Sequence, residues 1–298
     1  MQRRLPRDIG LSARMFLTMF LLAIVYLAFI AILLRAGVSF IAVALIAAVL
    51  LVVQYYYSDR LILYSLGARE ISEQEAPQLH DIIARLAQTT AIPKPKVAII
   101  DSPVPNALAT GRNPKNALVA VTTGILDKLD APEMEAVLAH ELSHVIHRDM
   151  RVMAMASFFA TIASFIVQSG LWGGFGGYSS DRGRDRGGNS FILIFLVSAV
   201  VWAISFVLIR ALSRYREYAA DRGSAIITGE PSLLASALIK VSGEMGRIPN
   251  TDLRQMEAGS ALMFFPPMSA GSLSELFSTH PSLEHRLAKL QAMESGLS

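Results

Sequence analysis

Four long apolar runs constrain the fold of this chain more than any other feature of its sequence. Each run has 19 or 20 residues, without a charged residue or a proline. About 20 apolar residues in a helix span the hydrocarbon core of a bilayer, and an unbroken helix satisfies its own backbone groups there. Four transmembrane helices are therefore predicted, at Met15–Leu34, Val38–Tyr57, Val152–Gly170 and Phe191–Ile209.

The overall composition agrees with a membrane protein. Hydrophobic residues make up 53% of the 298 residues and charged residues only 17%, whereas an ordinary soluble domain has about 25% charged residues. The net charge of +3 is too small and too dispersed to indicate a nucleic-acid partner. Because the chain has no cysteine, disulfides and a thiol nucleophile are excluded, and any metal must be bound by histidine and carboxylate side chains.

Basic residues near the ends of the runs predict the orientation in the membrane. The cytoplasmic side usually carries the surplus of Lys and Arg. Twelve such arginines lie on one side of the four runs and four on the other. Both termini and the long polar segments are therefore predicted to be cytoplasmic. Segments 58–151 and 210–298 are expected to form two halves of one domain, with membrane hairpins at 1–57 and 152–209.

The first polar segment has the pattern of a mixed α and β structure. Apolar residues recur at helical spacing after Pro77. Asp130 predicts the start of a further helix, because its side chain can cap the first turn while Glu133 completes a capping box. Between these helices, three short runs bounded by turn residues predict strands at Val97–Ile100, Asn106–Thr110 and Leu118–Thr122.

The helix that begins near Asp130 carries the motif His140-Glu141-Leu142-Ser143-His144. Residues four apart lie on one face of a helix, so both imidazoles can bind one metal ion with Glu141 beside it. Zinc is the expected metal, because it accepts neutral imidazole ligands and leaves a position for water at catalytic sites. Glu141 would take the proton of that water and pass it to the leaving amine. The alternative is a chance pair of histidines on a surface helix.

A third metal ligand must come from elsewhere in the chain. A metzincin would need glycine at 147 and histidine at 150, whereas this chain has His147 and Met150. After the fourth run, Glu217 and Asp221 lie four apart on a predicted helix. Glu217 can bind the ion while Asp221 accepts the second ring N–H of a ligating histidine. The alternative is an ordinary helix in which these carboxylates pair with Arg216 and its neighbours.

These motifs resemble those of the HtpX family of membrane-bound zinc metalloproteases. The resemblance rests on the four-span layout together with residues 140–144, Arg216–Asp221, Thr279–Pro281 and Pro105–Gly111. It implies a mainly α integral membrane protein with four transmembrane helices in two hairpins. It also implies a cytoplasmic α+β zincin-like metalloprotease domain of the gluzincin type, with a small sheet.

The same resemblance implies a site and a function. One Zn²⁺ per subunit would be bound by His140, His144 and Glu217, with Glu141 as the general base. His280, before a proline at a predicted helix start, would donate to the oxyanion of the tetrahedral intermediate; the alternative is a histidine at a helix entry. The implied enzyme is an endopeptidase of the bacterial inner membrane. Its implied role is protein quality control, on membrane-protein or unfolded polypeptide substrates.

The segment Asn106–Thr110 is expected to be an edge strand, because apolar and small residues alternate before Gly111. Adding an extended peptide to a sheet edge supplies main-chain hydrogen bonds without demanding a particular sequence, so broad specificity is predicted. The alternative is an ordinary edge strand closed off by a loop. The predicted substrate-binding residues are Asn106, Ala107, Leu108 and Ala109.

For most of the remaining candidate residues a structural role is expected. His147 is expected to be structural rather than a ligand. His80, His285 and Arg286 are expected on the solvent faces of amphipathic helices, although Arg286 could meet the substrate backbone. The aromatic and methionine-rich segment 261–268 can equally line a groove, touch lipid, pack in the core or cover the site.

The spacing of the ligands from the runs predicts a juxtamembrane site. His144 and Glu217 each lie eight residues from a run, which corresponds to about 12 Å of helix.

Two other functions stay open. One is a zinc transporter or sensor, which is disfavoured because the runs lack the charged residues and histidines that transport paths need. The other is a membrane scaffold without proteolysis. Among proteases, CAAX-prenyl endopeptidases share the zinc motifs but have longer chains and more spans.

Overall fold

The computed structural model describes residues 9–35, 66–111, 113–169, 185–245 and 281–297, with isolated positions between 39 and 64. The chain divides into two compact units. One unit comprises Met1–Leu11, Tyr56–Arg151 and Ser213–Ser298, and the other comprises Ser12–Tyr55 and Val152–Leu212.

The described part of the chain is mostly helical, with one small sheet. Its helices are α1 (Ile9–Arg35), α2 (Pro77–Thr90), α3 (Thr123–Lys128), α4 (Ala131–His147), α5 (Asp149–Ser169), α6 (Asp185–Thr228), α7 (Pro231–Met245) and α8 (Leu283–Leu297). Its strands are β1 (Arg69–Glu70), β2 (Lys96–Ile100), β3 (Ala107–Thr110) and β4 (Leu118–Thr122), with a 3-10 turn at Pro114–Asn116.

Apolar helices form the second unit. Within the described residues, two helices are long and apolar enough to cross a membrane: Ile9–Arg35 and the segment Ile192–Thr228 of α6. The third predicted run lies in α5, and most of the second run, Val38–Tyr57, lies outside the described residues. The membrane helices are therefore found in part, and the number of four spans stays a prediction.

Helix α1 buries one face and exposes the other. Its buried residues recur every three or four positions, at Thr18, Leu22, Tyr26, Phe29 and Leu33, whereas Phe16 and Leu27 are largely exposed. The Tyr26 hydroxyl donates a hydrogen bond to the backbone carbonyl of Ala156 in α5. Such interhelical hydrogen bonds are typical of helices that associate in lipid, where an unpaired polar group is costly.

The first unit contains a four-stranded sheet of order β1-β2-β4-β3. Strands β2 and β4 are parallel, and β1 and β3 pair antiparallel at the two edges. The three predicted strands are confirmed to within one residue, while the short strand β1 was not predicted. Among the described strands, β3 has β4 as its neighbour and lies at the edge, as expected from its sequence.

The motif helix α4 begins and packs as the sequence predicts. The Asp130 side chain accepts the N–H of Glu133, and the Glu133 carboxylate accepts the N–H of Asp130, which confirms the capping box. Residues Ala136–Ala139 are fully buried in the core between the sheet and α7. This packing fixes the helix and therefore the direction of the side chains in its last two turns.

The predicted helix that carries Glu217 is part of α6, a continuous helix of 44 residues. The fourth apolar run and the segment Ser213–Asp221 thus form one helix rather than two. Residues Ser213–Thr228 of α6 belong to the first unit. There the hydroxyl of Ser224 donates to the carbonyl of Ala136 at 2.6 Å, which joins α6 to the motif helix.

Candidate metal centre

Three side chains converge at the C-terminal half of α4. His140 Nε2 lies 3.2 Å from His144 Nε2. The Glu217 carboxylate lies 3.6 Å from His140 Nε2 and 3.5 Å from His144 Nε2. Zinc–nitrogen bonds of about 2.0–2.1 Å in tetrahedral geometry place neighbouring ligand atoms about 3.3 Å apart. The three donors therefore have the spacing that one zinc-sized ion requires, and all three residues are buried.

Each imidazole is oriented by an aspartate. His140 Nδ1 lies 2.9 Å from Asp221 Oδ1, and His144 Nδ1 lies 2.6 Å from Asp149 Oδ2. A carboxylate beside Nδ1 favours the tautomer with its hydrogen on that nitrogen, which leaves the Nε2 lone pair for a metal. Two such nitrogens 3.2 Å apart attract each other only through a cation between them, either a proton in an N–H···N hydrogen bond or a metal ion. The rings therefore have the orientation that two ligands of one metal ion need.

Two buried arginines complete this arrangement. Arg286 Nε donates to Asp221 Oδ2 at 2.9 Å and a second guanidinium nitrogen donates to Oδ1 at 2.6 Å. Arg286 is 1% exposed, so the expectation of a solvent-face residue was wrong. The Arg286 side chain lies in the core because the buried carboxylate of Asp221 compensates its charge. On the other side, Arg216 Nε lies 3.2 Å from Asp149 Oδ2.

The buried charges leave a deficit of positive charge at the centre. Four buried carboxyl groups face two buried guanidinium groups. This excess of acidic groups in a buried site favours a compensating positive charge, from protonated imidazoles or from a metal ion. The carboxylates are Glu141, Asp149, Glu217 and Asp221, and the guanidinium groups are Arg216 and Arg286.

The pKa values reflect the same charge distribution. Burial lowers the pKa of His140, but hydrogen bonds with Asp221 and Glu217 outweigh it and raise the pKa to about 9. Burial raises the pKa of Asp221, but the charge of Arg286 and the contact with His140 hold it below its ordinary value. The site thus stabilises positive charge at the imidazoles. A bound metal ion would supply that positive charge.

Glu141 lies beside this cluster without being one of the three donors. It is 1% exposed, and burial raises the pKa of its carboxyl more than the nearby imidazoles lower it. The backbone N–H of Ala109 hydrogen-bonds its carboxylate. Its Oε1 atom is buried and has no hydrogen-bond partner among the described residues. A buried carboxylate oxygen with no protein donor suits a water molecule held next to the metal position.

Strand β3 presents part of its backbone toward Glu141. The carbonyl of Asn106 accepts the N–H of Thr122 at 2.9 Å, so Asn106 faces β4. In an antiparallel pair the bonding direction alternates, so the polar backbone groups of Ala107 and Ala109 point to the outer edge. The bond from the Ala109 N–H to Glu141 agrees with that direction. The edge strand and the carboxylate therefore border the same space.

The other predicted residues lie in different places. His280 and segment 261–268 lie outside the described residues. His147 is exposed at the end of α4 and is not part of the donor group. His285 is exposed, as expected, and its Nδ1 lies 2.6 Å from the Ser282 hydroxyl. His80 was wrongly expected to face solvent: it is buried, with Nε2 at 3.2 Å from the Ile71 carbonyl.

Fold and site together define a membrane metallopeptidase in which an HExxH helix and a later glutamate present the donors that can bind a metal ion. The comparison with known families agrees, and the chain belongs to peptidase family M48, which matches residues 73–294. The resemblance to HtpX proteases is confirmed by close relatives. A protease HtpX homolog of Moorella thermoacetica is 59% identical over 297 residues, covering 99% of this chain and 98% of that protein.

Two further comparisons extend this result. Protease HtpX homolog 2 of Methanosarcina acetivorans is 55% identical over 298 residues, covering 100% of both chains. The crystal structure of S. mikatae Ste24p has a similar fold, with a TM-score of 0.53 and 17% identity. That similarity covers 95% of this chain and 66% of Ste24p.

Proposed function

We propose that this chain is a zinc endopeptidase that cleaves cytosolic or unfolded segments of membrane proteins. The observation that carries the proposal is the 3.2 Å approach of two imidazole Nε2 atoms, each backed by an aspartate, with Glu217 within 3.6 Å of both. In this proposal His140, His144 and Glu217 bind one Zn²⁺ per subunit. A site that only stores or transports zinc is not favoured, because the chain belongs to a peptidase family.

The chemistry follows from the side chains around the site. Bound zinc supplies Lewis acidity, which polarises the scissile carbonyl and makes water acidic near neutral pH. Glu141 takes the proton from the attacking water and transfers it to the leaving amine. Asp221 and Asp149 hold the imidazoles in the ligating orientation. His280 is proposed, on the resemblance alone, to donate a hydrogen bond to the oxyanion.

The substrate is proposed to bind in an extended conformation along β3. The outward carbonyls of Ala107 and Ala109 can accept N–H groups from every second residue of a peptide, beside Asn106 and Leu108 on the same strand. A peptide N-methylated at the positions that face β3 should therefore have a higher KM than one N-methylated at the intervening positions. Equal KM values for the two peptides would argue against binding along this edge.

The catalytic domain and both termini are proposed to be cytoplasmic, in a bacterial inner membrane. The surplus of arginine on that side supports this orientation. Because the chain has no cysteine, single cysteines report accessibility without background. A membrane-impermeant maleimide should label Ser179→Cys in intact spheroplasts and Ser295→Cys only after lysis. The opposite pattern would reverse the orientation.

The catalytic proposal is tested by metal content and cleavage in the same preparation. The full chain is purified in detergent under chelation, reloaded with zinc, and assayed on unfolded casein, with a His144→Ala variant as control. Wild type should bind one zinc per chain and cleave casein only when loaded. The His144→Ala chain should bind zinc weakly and cleave nothing. Zinc bound equally by both chains would contradict the ligand assignment.

A further inference from the structure

We propose that Asp149 and Arg216 form a positioning pair for His144 and thereby set the affinity of this chain for zinc. The inference rests on the proposed metal site and adds two residues to it. Neither residue belongs to the HExxH motif, and neither is among the donors that can bind the ion directly.

The contacts of Asp149 suit that role. Its Oδ2 atom lies 2.6 Å from His144 Nδ1 and 3.2 Å from Arg216 Nε, so one oxygen joins a ligand to a cation. Asp149 is 1% exposed and Arg216 is 3% exposed. A buried carboxylate between two such groups has little freedom to rotate. The His144 ring is therefore held with Nε2 toward the donor cluster.

Asp149 reaches His144 because the chain breaks between them. On one continuous helix a residue five positions later lies about 140° around the axis and cannot contact the first side chain. Here α4 ends at His147, the next residue Arg148 has a left-handed φ of 56°, and α5 begins at Asp149. The Arg148 N–H caps the carbonyls of His144 and Val145. The turn at Arg148 thus returns Asp149 to the ring of His144.

The pair on His144 repeats the arrangement on His140. There Asp221 contacts His140 Nδ1, and Arg286 pairs with Asp221. Each imidazole thus contacts an aspartate, and that aspartate pairs with an arginine from a different part of the chain. Arg216 also precedes the ligand Glu217 on α6, so the Asp149–Arg216 pair connects two ligand-bearing segments. Loss of the pair should loosen both His144 and the register of Glu217 against it.

The test measures zinc affinity rather than activity. Zinc Kd is obtained by competition with a chelator of known affinity on the full chain in detergent, and the visible absorption of the Co²⁺-loaded protein reports ligand geometry. Loss of a group that orients a ligating histidine weakens metal binding about 10- to 100-fold. The Asp149→Ala variant should bind zinc more weakly by a factor in that range, and its Co²⁺ spectrum should change. The Asp149→Asn variant should lose less zinc affinity, because its amide oxygen still accepts the His144 Nδ1 hydrogen.

Glu133→Gln is the matched control for a general loss of stability. Glu133 is also a buried carboxylate that contacts a cation, Lys240, but it lies in the first turn of α4. Its zinc Kd and Co²⁺ spectrum should equal those of wild type. A double-mutant cycle tests Arg216: Arg216→Met should change zinc Kd in the wild-type background and by less than about twofold in Asp149→Ala, because it acts through Asp149.

Each outcome supports or overturns the inference. Wild-type zinc affinity in Asp149→Ala, an equal loss in Glu133→Gln, or additive effects of Asp149→Ala and Arg216→Met would overturn it while leaving the metal site in place. A wild-type chain that binds no zinc would overturn both this inference and the proposed function. A selective loss in Asp149→Ala with a partial recovery in Asp149→Asn would support it.

Discussion

Arg286 and Asp221 form a buried ion pair with two hydrogen bonds, of 2.9 and 2.6 Å, across 65 residues of sequence. Both side chains are almost fully buried, at 2% and 1% exposure. The pair joins helix α8 to helix α6, and Asp221 contacts Nδ1 of His140, one of the three proposed metal ligands. Helix α8 therefore supports the candidate metal centre.

Arg286→Met should destabilise the protein strongly. It leaves Asp221 buried without its cation, and breaking a buried pair in this way costs about 3–5 kcal/mol. The control is Arg85→Met, which removes an arginine from an ion pair with Glu135 in which both side chains are substantially exposed. Exposed pairs contribute about 1 kcal/mol or less. Denaturant unfolding in detergent should show a much lower free energy of unfolding for Arg286→Met than for Arg85→Met. Equal losses of unfolding free energy would mean that the Arg286 pair contributes little to stability.

Arg148→Gly should leave the fold intact and stabilise it. Arg148 has a φ of 56° at the end of α4. A non-glycine residue in this left-handed conformation costs about 1–2 kcal/mol. Glycine avoids that cost, but part of the gain is lost because glycine gives the unfolded chain more conformational entropy. A net gain of up to about 1 kcal/mol is expected. Ala91→Gly, with a φ of 55° at the end of α2, should behave in the same way. A gain at Ala91 combined with a loss at Arg148 would indicate that the Arg148 side chain itself stabilises the fold.

The sequence predicted those elements whose signals are local. The capping box at Asp130, the motif face of α4 and the three longer strands each follow from residues within a few positions of one another. Glu217 and Asp221 were found because their chemistry and four-residue spacing are also local. The two-residue strand β1 has too few residues to show a strand pattern, and its pairing with β2 depends on the folded sheet.

The residues that the sequence analysis missed act through tertiary contacts. Arg286 on an amphipathic helix is expected in solvent, since only the folded chain brings it to Asp221. Asp149 is five residues from His144, a spacing that no regular helix uses for a contact, and the left-handed turn at Arg148 makes the contact possible. Buried charges of this kind could have been suspected only by pairing distant acidic and basic residues.

Acid should remove the contribution of Glu133 to stability. Burial raises the pKa of Glu133, but hydrogen bonds from Lys240, Ser236 and the helix cap outweigh it, so the pKa lies below its ordinary value of 4.5. A carboxyl with a lowered pKa in the folded state stabilises above its unfolded pKa and loses that effect as pH falls through its folded pKa. The difference in unfolding free energy between wild type and Glu133→Gln should therefore be constant near neutral pH and shrink below about pH 4.5. A difference independent of pH would contradict the ionic contribution.

Metal removal should lower the thermal stability of wild type. A ligand that binds only the folded chain adds about 4 kcal/mol at a free concentration 1,000 times its Kd. Glu141→Gln keeps all three donors and should show the same zinc-dependent shift in Tm, whereas Glu217→Ala should show a much smaller one. A shift that survives intact in Glu217→Ala would mean that the stabilising ion binds elsewhere.

The role of Glu141 is tested by comparing cleavage by wild type and Glu141→Gln at equal zinc content. Glu141 is buried beside the donor cluster, and its glutamine variant keeps the shape but cannot accept the proton of water. Both proteins should contain one zinc per chain after reloading, and only wild type should cleave unfolded casein or a membrane-protein substrate, with a loss of at least about 100-fold in the variant. Cleavage at the wild-type rate by zinc-loaded Glu141→Gln would mean that this carboxylate is not the general base of a metallopeptidase.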